Sequence, residues 1–421
     1  MLLKGRLTSP QRPGKSRRTG ASLPSPSRSD AQADPTPHLQ SQPSTPRTAV
    51  TELDQAIEPR QPASPLPSTT RQTRGRMGRV AQVQVLATGS YAPDRVVTND
   101  DLAALGCDSD WIVRRTGILE RRWASPDEAT SDLCYRAAMN CLQSANVAAD
   151  QVDLIIVATI TPDHPTPSTA CHLQRRLGAT AAAMDLNAAC AGFMYAYITA
   201  AQFVAAGNSR YALVVGADLM SRTIDPNDQK TYPLFGDGAG AALIGRPPMT
   251  EIDTPDDKPS AKPSPISPAG ILAYQLGSEG CGGDMLCIPA GGTRLPLTPE
   301  AHAAGDQYLR MDGRNVFKWA VKVVDESAKQ VLAMADKTAA DLDLVILHQA
   351  NQRIIDSAVS DLDLPTEKLF VNLDRYGNTS AASIPLALDE ANRNRRLHRG
   401  DLVLLCGFGA GLAWGTSLIR W

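Results

Sequence analysis

Apolar residues from Met77 onward form short, nearly continuous runs, and segments with helical spacing lie between them. One run, Val-Asp-Leu-Ile-Ile-Val-Ala at residues 152–158, is typical of a strand that is covered on both faces. The segment from Phe193 to Ala206 has the apolar spacing of a helix. Strands that alternate with helices in this way predict an α/β fold with mostly buried sheets. A first strand is expected at residues 78–86.

The pattern of runs repeats once along the chain. Residues 152–158 have a counterpart 190 positions later in Leu-Asp-Leu-Val-Ile-Leu-His at 342–348, and residues 211–216 match residues 401–406 at the same offset. Two helical stretches lie between the members of each pair. A shared offset at both ends makes chance similarity of buried strands a poor explanation. We therefore expect two packed copies of one plan, with a cleft where they meet.

Two segments lie outside the repeat. Residues 1–76 are rich in Ser, Pro, Thr, Gln and Arg and lack periodicity, which favours a disordered tail or a start assigned upstream of Met77. An organellar transit segment is the alternative. Residues 247–268, rich in Pro, Ser and charge, predict a linker insertion. The repeat then divides into a first half at 77–246 and a second half at 269–421.

Charge and cysteine usage narrow the class of protein. Residues 1–76 carry twelve Lys/Arg against five Asp/Glu, so the remainder of this chain of net charge −2 is acidic, at −9. An acidic body argues against nucleic acid as the main partner. No apolar run reaches the roughly 18–20 residues of a membrane span, so we expect a soluble protein without membrane insertion. The eight cysteines form no CxxC or His/Cys cluster, which argues against zinc and favours a reducing compartment.

Cys190 is the candidate nucleophile. It lies among small residues in Asn-Ala-Ala-Cys-Ala-Gly, after a short apolar run and before the helical segment near Phe193. The positive end of a helix macrodipole favours the thiolate, the form that acts as a nucleophile. A buried structural thiol is the competing interpretation, since free cysteines are among the most buried residue types.

The repeat supplies partners for Cys190. Its offset places Ser380 opposite Cys190, beside Gly-Asn-Thr at residues 377–379, and His348 ends the first strand of the second half. Functional groups commonly lie at such strand ends in α/β proteins. Cys190, His348 and Asn378 are therefore expected to converge at one cleft.

Four segments resemble β-ketoacyl-[acyl carrier protein] synthase III, the condensing enzyme that initiates type II fatty acid synthesis. They are Asp-Leu-Asn-Ala-Ala-Cys-Ala-Gly at 185–192, His-Gln-Ala-Asn-Gln-Arg at 348–353, residues 374–383 and residues 407–415. The resemblance implies a thiolase-like α/β fold of two duplicated αβαβαββ-type halves in α/β/α/β/α layers. It also implies an acyltransferase that condenses an acyl-CoA primer with malonyl-[acyl carrier protein], releasing carbon dioxide and forming a 3-oxoacyl-[acyl carrier protein].

The resemblance assigns roles to the catalytic candidates. Cys190 matches the residue that accepts the acyl group as a thioester. His348 and Asn378 match the pair that donates hydrogen bonds to the enolate oxygen during decarboxylation. The backbone N–H groups of Cys190 and Ala410 are expected to form the oxyanion hole. Neither a metal nor a resident cofactor is expected, because acyl-CoA and malonyl-[acyl carrier protein] are substrates.

Residues near the start of the fold match the coenzyme A site of the family. Trp111, Arg115 and Asn351 correspond to residues that hold the nucleotide, where an indole stacks on adenine and a guanidinium pairs with phosphate. Gln229 replaces a further arginine that some members use. The resemblance therefore implies coenzyme A binding that is weaker or differently arranged.

Basic residues near the tunnel mouth match the docking site for the acidic carrier protein. They are Lys318, Arg353 and Arg314. A lysine pair of some members corresponds to Ser360 and Asp361. Because the folded body is acidic, docking has to rely on a local patch and should be sensitive to salt.

Thr166 corresponds to an acyl-pocket position that members with acetyl primers often fill with phenylalanine, which reaches across a homodimer. A threonine predicts room for longer or branched primers in an expected homodimer. A cytoplasmic location is expected, or a plastid or other organelle if residues 1–76 are a transit segment.

Two other functions remain open. The same chemistry serves secondary metabolism in polyketide, quinolone or ester-forming synthases, and chalcone-synthase-like enzymes share the Cys/His/Asn set. A non-catalytic homologue that acts as a scaffold is the alternative from another class, and the complete set of Cys190, His348 and Asn378 argues against it.

Overall fold

The computed structural model describes residues 75–246 and 270–421. Almost all of the predicted tail, 1–76, and the whole predicted insertion, 247–268, lie outside the described residues, so that division of the chain stays a prediction. The strands are β1 (Arg76–Ala81), β2 (Gln84–Tyr91), β3 (Val96–Thr98), β4 (Glu120–Arg122), β5 (Leu154–Ala158), β6 (Ala182–Leu186), β7 (Tyr211–Leu219), β8 (Asp237–Gly245), β9 (Gly270–Ser278), β10 (Leu286–Cys287), β11 (Arg310–Met311), β12 (Leu344–Leu347), β13 (Leu402–Gly409) and β14 (Ala413–Arg420). The α-helices are α1 (Ser109–Thr116), α2 (Thr130–Ala145), α3 (Thr169–Leu177), α4 (Gly192–Ala205), α5 (Pro299–Ala303), α6 (Gly313–Met334), α7 (Gln352–Asp361), α8 (Leu373–Tyr376) and α9 (Ser383–Arg393).

Two five-stranded sheets form the framework. The first has the strand order β2-β8-β7-β5-β6 and the second β1-β9-β14-β13-β12. The apolar runs β5 and β12 pair in parallel with β7 and β13, as expected for buried strands with helical crossovers. Every residue of β5 and β12 is buried. The predicted α/β class is confirmed.

The beginning of the described chain differs from the single strand predicted at residues 78–86. It forms two strands that join different sheets: β1 pairs with β9, whereas β2 pairs with β8. Between them Gln82 adopts a left-handed backbone with φ 57°. Buried apolar residues continue on both sides of Gln82, at Val80, Val83 and Val85, so the change of sheet left no interruption in the pattern of apolar residues.

Helices fill the space between the sheets and cover their outer faces. The central helix α4 packs on β5 and β7 on one side and on β13 and β14 on the other, and α9 packs on β2 and β8 and on β12 and β13. Outside, α2 and α3 cover the first sheet and α6 covers the second. These contacts give the predicted α/β/α/β/α layers.

The central helices approach the strands closely because glycine and alanine occupy the contacts. A Cβ on Gly216 of β7 would lie 2.2 Å from the Ala381 carbonyl oxygen, and one on Gly240 of β8 would lie 2.5 Å from the Leu386 nitrogen. Residues with a Cβ would force the layers apart. Glycine therefore sets the spacing between the first sheet and the segment that begins α9.

The two copies of the repeat differ by one residue. Strands β5 and β12 begin 190 positions apart, whereas the 3₁₀ turns at Ala189–Ala191 and Ser380–Ala382, which lead into α4 and α9, are 191 apart. Ala189 and Ser380 both have a left-handed backbone, with φ 47° and φ 51°. Ser380 is thus equivalent to Ala189, and Ala381 is equivalent to Cys190. The pairing of Ser380 with Cys190 expected from the offset is wrong by one position.

Three observations bear on composition. All eight cysteines are described and none is in a disulfide. Across 75–246 and 270–421, no three His, Cys, Asp or Glu side chains are grouped in a way that could hold a metal ion. No helix in the same ranges is long and apolar enough to cross a bilayer.

Replacing Gly216 with alanine should destabilise the protein. Its Cβ would collide with the backbone at Ala381, and overpacking of this kind costs about 1–3 kcal/mol. The matched control is Gly280→Ala, since nothing lies within 4 Å of a Cβ at that position. Urea unfolding of both variants measures the effect, and equal midpoints would contradict the proposed spacing role of Gly216.

Candidate active site

A cavity of about 870 Å³ brings the predicted catalytic residues together. Cys190, His348 and Asn378 all line it, and so does Ala410. Cys190 belongs to the first copy of the repeat and lies just before α4. His348 and Asn378 belong to the second copy: His348 follows β12, and Asn378 lies just before the turn that leads into α9. The cavity therefore forms where the copies meet, as expected for a duplicated fold.

Cys190 lies in the 3₁₀ turn directly before α4 and is 8% exposed. The left-handed backbone of Ala189 turns the chain from β6 into this position. Gly409 at the end of β13 comes so close that a Cβ there would lie 2.8 Å from the Cys190 Cβ. The glycine thus lets the loop before β14 pass directly over the thiol.

The thiol of Cys190 is neutral at rest. Burial raises its pKa to about 12; the hydrogen bond with Ser380 lowers the pKa, and the nearby Asp218 carboxylate raises it. Desolvation opposes the charged form, so burial acts against the effect expected from the helix macrodipole. The expected position of Cys190 directly before a helix is confirmed.

His348 follows β12, and its backbone N–H donates to the Cys406 carbonyl at 2.8 Å. Its ring packs edge-on against Phe408, with centroids 5.2 Å apart. Burial lowers the pKa of the imidazole to about 3. His348 is therefore neutral at physiological pH and carries a hydrogen on only one ring nitrogen.

Ser383 determines which nitrogen of His348 carries that hydrogen. The Ser383 Oγ accepts from the Gln349 backbone N–H at 2.7 Å and lies 3.1 Å from His348 Nδ1. Among the described residues, His348 Nδ1 is the acceptor available to the Ser383 hydroxyl proton. When this hydroxyl donates to Nδ1, the ring hydrogen is on Nε2. Nε2–H is then a neutral hydrogen-bond donor.

Asn378 is held by its backbone on both sides. Its N–H donates to the Leu234 carbonyl at 2.8 Å, and its carbonyl accepts from Gly236 at 3.0 Å. The side-chain Oδ1 accepts from the Ser380 N–H at 2.9 Å, which assigns the amide orientation. The Nδ2 group is therefore the donor end of the side chain, and it has no hydrogen-bond partner among residues 75–246 and 270–421. Like His348, Asn378 offers a hydrogen bond without a formal charge.

Asp218, at the end of β7, is a buried carboxylate behind the nucleophile. Oδ1 accepts from the Thr159 hydroxyl at 2.9 Å and the Ile160 N–H at 2.7 Å, and Oδ2 accepts from the Ala381 N–H at 3.1 Å. Burial raises its pKa, while the hydrogen bonds that the carboxylate accepts act in the opposite direction. The carboxylate thus links the first sheet to the turn that faces Cys190.

The cavity mouth carries the predicted coenzyme A residues. The Arg115 guanidinium lies 4.6 Å from the centroid of the Trp111 ring, and Asn351 Nδ2 donates to the Arg115 carbonyl at 3.1 Å. Gln229 donates to the Leu105 carbonyl, but Lys230 beside it also lines the cavity. Lys230 therefore supplies a positive charge next to Gln229, the position where an arginine was expected from the resemblance.

The predicted docking residues also lie at this cavity, whereas the predicted pocket residue does not. Arg314, Lys318 and Arg353 are exposed members of its lining, and Arg353 lies 5.5 Å over the Phe317 ring. Thr166 is exposed and is not part of the lining formed by its own chain.

Ser383, Asp218 and Lys230 were not predicted, and Ser380 was predicted only as the repeat counterpart of Cys190. Ser383 lies in the Asn-Thr-Ser-Ala-Ala-Ser segment, which is part of the motif at residues 374–383. The sequence therefore contained a signal that could have pointed to Ser383. Asp218 ends a buried strand, which is the position where α/β proteins present functional groups. Its approach to Ser380 depends on packing between sheet and helix and has no local signal.

Sequence and structure comparisons identify similar proteins. A family model described as 3-oxoacyl-[acyl-carrier-protein] synthase III matches residues 184–254, and one for its C-terminal part matches residues 332–421. Beta-ketoacyl-[acyl-carrier-protein] synthase III of Rhodopirellula baltica is 70% identical over 339 residues, covering 80% of this chain and 98% of that protein. The crystal structure of the 3-oxoacyl-[acyl-carrier-protein] synthase III of Aquifex aeolicus has a TM-score of 0.70 and 39% identity, covering 80% of this chain and 100% of that one. A priming β-ketosynthase of a polyketide pathway has a TM-score of 0.71 and 34% identity, covering 82% and 97%.

The His348 ring should stay neutral, with its hydrogen on Nε2, from pH 8 down to pH 5, because burial lowers its pKa to about 3. Selective ¹⁵N-histidine NMR measures this state, and the urea-unfolded protein is the reference, in which imidazoles titrate near about 6.5. In Ser383→Ala the hydroxyl donor is lost, so the Nδ1–H form should appear. A wild-type ring that titrates above pH 5, or an unchanged tautomer in the variant, would contradict the assignment.

Proposed function

The chain belongs to the β-ketoacyl-[acyl-carrier-protein] synthase III family, and we propose that Cys190, His348 and Asn378 carry out its decarboxylating condensation. The enzyme is an acyltransferase of the thiolase fold that initiates type II fatty acid synthesis. An acyl-CoA primer and malonyl-[acyl carrier protein] give a 3-oxoacyl-[acyl carrier protein], carbon dioxide and coenzyme A. The convergence of these three side chains on one cavity is the observation that carries the assignment.

The first step transfers the acyl group to Cys190. The sulfur attacks the thioester carbonyl of acyl-CoA, and coenzyme A leaves. Negative charge develops on the carbonyl oxygen, and we assign its stabilisation to the backbone N–H groups of Cys190 and Ala410. The close passage of Gly409 over Cys190 supports this assignment because it brings the loop backbone beside the sulfur.

The second step decarboxylates the malonyl thioester. Loss of carbon dioxide leaves an enolate, whose oxygen needs donors in a water-poor site. His348 Nε2–H and Asn378 Nδ2–H are the proposed donors, and both are neutral. The enolate carbon then attacks the acyl-Cys190 carbonyl, forms the carbon–carbon bond and releases the sulfur. These steps use side chains and backbone amides of the chain, with acyl-CoA and malonyl-[acyl carrier protein] as substrates.

Coenzyme A is proposed to bind at the mouth of the cavity. Trp111 offers an aromatic face for adenine, Arg115 offers a guanidinium for phosphate, and Asn351 holds the Arg115 backbone. Lys230 lines the same mouth and supplies positive charge beside Gln229. The nucleotide therefore meets cations in a different arrangement from members that have an arginine at this point.

The carrier protein is proposed to dock at the exposed basic residues Arg314, Lys318 and Arg353. All three line the cavity that holds Cys190, so a pantetheine arm entering there would pass them. Residues 77–421 carry a net charge of −9, so attraction of an acidic partner has to come from a local basic patch such as this one. Salt should weaken docking.

A homodimer is proposed through the exposed edge of the first sheet. Strand β6 lies at that edge, and its Met184 is 37% exposed. An uncovered apolar edge strand is a site for pairing with another chain. Thr166 lies on the exposed loop that precedes α3, outside the pocket of its own chain, which supports its proposed action on the pocket of a second copy. The cytoplasmic location stays a prediction.

The similarity to a priming β-ketosynthase of a polyketide pathway supports secondary metabolism as the second candidate function for the same condensation. That ketosynthase is 34% identical to this chain, against 70% for the Rhodopirellula baltica protein. The larger similarity favours fatty acid synthesis over secondary metabolism. A product assay with the carrier proteins of both pathways would separate them.

Incubation with acyl-CoA should add one acyl group to the parent protein and none to Cys190→Ala. The reason is that only the sulfur of Cys190 lies at the cavity beside His348 and Asn378. Intact-mass spectrometry measures the adduct, and Cys171→Ala, which removes an exposed thiol, is the matched control. An undiminished adduct on Cys190→Ala would refute the nucleophile.

The same assay separates the roles of the other two residues. Added malonyl-[acyl carrier protein] should clear the adduct from the parent with release of carbon dioxide. His348→Ala should still acylate and then decarboxylate about 10²-fold or more slowly, the scale for loss of one oxyanion donor. Equal decarboxylation by this variant would remove His348 from the proposed step.

Primers longer than acetyl should be accepted. In the proposed homodimer, Thr166 of one copy leaves room in the pocket of the other, where a phenylalanine would close it. Apolar side chains of Met220, Leu286 and Leu309 line the cavity. Single-turnover acylation with acetyl-, isobutyryl- and octanoyl-CoA measures the preference. Thr166→Phe should favour acetyl, whereas the control Thr166→Ser should not. A strict acetyl preference of the parent would contradict the prediction.

A further inference from the structure

Arg121 is a buried cation that the proposed condensation steps do not use. It lies in β4, and no part of it is exposed. Arg122, the next residue, forms an ion pair with Glu120 at 3.6 Å. Arg121 instead donates three hydrogen bonds to neutral oxygens. Because a buried cation costs free energy unless its surroundings satisfy it, the partners of Arg121 indicate what it holds in place.

The guanidinium of Arg121 joins three segments that are distant in sequence. Nη1 donates to the Val97 carbonyl at 3.1 Å, and Nη2 donates to Asn99 Oδ1 at 2.8 Å and to the Pro233 carbonyl at 2.7 Å. Asn99 is itself held, because its Nδ2 donates to the Ile118 carbonyl at 2.8 Å. A planar guanidinium has N–H donors in fixed directions and can make these bonds at once. Arg121 therefore fixes the position of Pro233 relative to β3 and β4.

The segment 233–236 forms part of the cavity wall and holds Asn378. Three of its residues line the cavity: Pro233, Leu234 and Phe235. The Asn378 N–H donates to the Leu234 carbonyl at 2.8 Å, and the Asn378 carbonyl accepts from the Gly236 N–H at 3.0 Å. Both backbone polar groups of Asn378 are therefore bonded to this segment. A shift of segment 233–236 has to move Asn378 with it.

The aliphatic stem of Arg121 packs where segment 233–236 meets the residues around Asn378. A Cβ on Gly236 would lie 3.1 Å from the Arg121 Cβ, and a Cβ on Gly377 would lie 3.3 Å from it. Glycine at both positions allows this close approach. Arg121 thus lies against segment 233–236 and also against the residue that precedes Asn378.

Trp123, directly after β4, holds the same segment at a second point. Its Nε1–H donates to the Phe235 carbonyl at 3.2 Å. The Leu234 carbonyl, which accepts from Asn378, lies between the two carbonyls that Arg121 and Trp123 hold. The chain around β4 therefore fixes segment 233–236 on both sides of its contact with Asn378.

We propose that Arg121 is a positioning residue for decarboxylation, which places the Asn378 side chain at the enolate oxygen through segment 233–236. The inference rests on the proposed role of Asn378 as a donor to that oxygen. Arg121 is not part of the cavity lining, so it acts through other residues. Segment 233–236 fixes the Asn378 backbone, and the Ser380 N–H fixes Asn378 Oδ1 at 2.9 Å. Together these bonds determine the direction of Nδ2.

A positioning role affects the two steps of the reaction unequally. Cys190 is positioned by the turn before α4 and by the close approach of Gly409, so acylation should depend little on Arg121. Asn378 takes part in the second step, and a displacement of about 1 Å in a catalytic group can lower a rate about 10²-fold. A variant that is merely less stable loses both steps in proportion to the fraction that is unfolded.

Arg121→Lys tests the proposal in two single-turnover assays. Lysine keeps the positive charge but lacks the fork of donors that joins the three segments. Acylation of Cys190 at saturating acyl-CoA should stay within about threefold of the parent rate, and release of carbon dioxide from malonyl-[acyl carrier protein] should fall about 10–10²-fold. Thermal unfolding confirms that the variant is native at the assay temperature. A loss of decarboxylation no larger than the loss of acylation would overturn the proposal.

A double-mutant cycle shows whether Arg121 acts through Asn378. In the Asn378→Ala background the donor is absent, so adding Arg121→Lys should change the decarboxylation rate by less than about twofold. Independent roles would instead multiply the two losses. That outcome would overturn the proposal, because a general structural effect of Arg121 persists whether or not Asn378 is present.

Arg399→Lys is the matched control for the substitution itself. Arg399 also donates from both Nη atoms to backbone carbonyls of a distant segment, those of Val85 and Leu86, at 2.9 and 3.0 Å. It is not part of the cavity lining. The control should leave the rates of both steps unchanged.

Trp123→Phe is the second variant if Arg121→Lys fails to fold. It removes the hydrogen bond to the Phe235 carbonyl and retains an aromatic ring in the core. Decarboxylation should fall about threefold to tenfold and acylation should stay at the parent rate, because one of the two bonds that fix segment 233–236 remains. Unchanged decarboxylation in Trp123→Phe would overturn the proposal.

Failure of the inference and failure of the proposed function give different results. If Asn378→Ala decarboxylates as fast as the parent, the proposed role of Asn378 fails and the role of Arg121 fails with it. If Asn378→Ala is slow and Arg121→Lys is as fast as the parent, the condensing function stands and the positioning role alone is rejected.

Discussion

The structure depends on two helices, α4 and α9, that are enclosed between the two sheets. Such helices can contact strands on both sides only where glycine and alanine remove side-chain bulk, as at Gly216 and Gly240. Both helices begin on the same side of the layer, each after a tight turn. The turns carry Cys190 and Ser380, so the packing that holds the core together also brings the two copies of the repeat into contact at the cavity.

Exclusion of water determines the protonation of the site. Burial keeps the Cys190 thiol protonated and the His348 imidazole unprotonated, with pKa values of about 12 and about 3. A site of neutral donors suits a reaction in which negative charge appears only on the way to products, since no fixed cation stabilises the substrate beforehand. The same desolvation makes the position of each proton depend on a few hydrogen bonds, such as that from Ser383.

Much of the fold followed from the pattern of apolar residues. The runs that became β5 and β12 were recognised because strands buried on both faces need continuous apolar sequence. The separation of β1 from β2 was missed because the change of sheet occurs at Gln82 through backbone conformation alone. The one-residue difference between the copies was missed for a related reason: an added residue between strands leaves each strand's pattern unchanged.

The candidate site, like the fold, was predictable from the sequence only in part. Cys190, His348 and Asn378 carry chemistry in their side chains and lie in recognisable segments, so sequence was sufficient to select them. The effect of burial on the thiol pKa could not be predicted, because a macrodipole acts locally, whereas desolvation comes from every layer around Cys190. Asp218 contacts Ala381 across 163 positions of sequence. Contacts of that kind arise only when the layers pack.

The paired turns at Ala189 and Ser380 have a consequence for how the chain has diverged from its duplication. The same backbone shape is present twice, with a reactive side chain after it in one copy and a supporting hydroxyl on it in the other. The left-handed turn before the helix is therefore compatible with alanine in one copy and serine in the other. The chain carries a second version of its active-site turn, and the differences between the two separate what the backbone requires from what the chemistry requires.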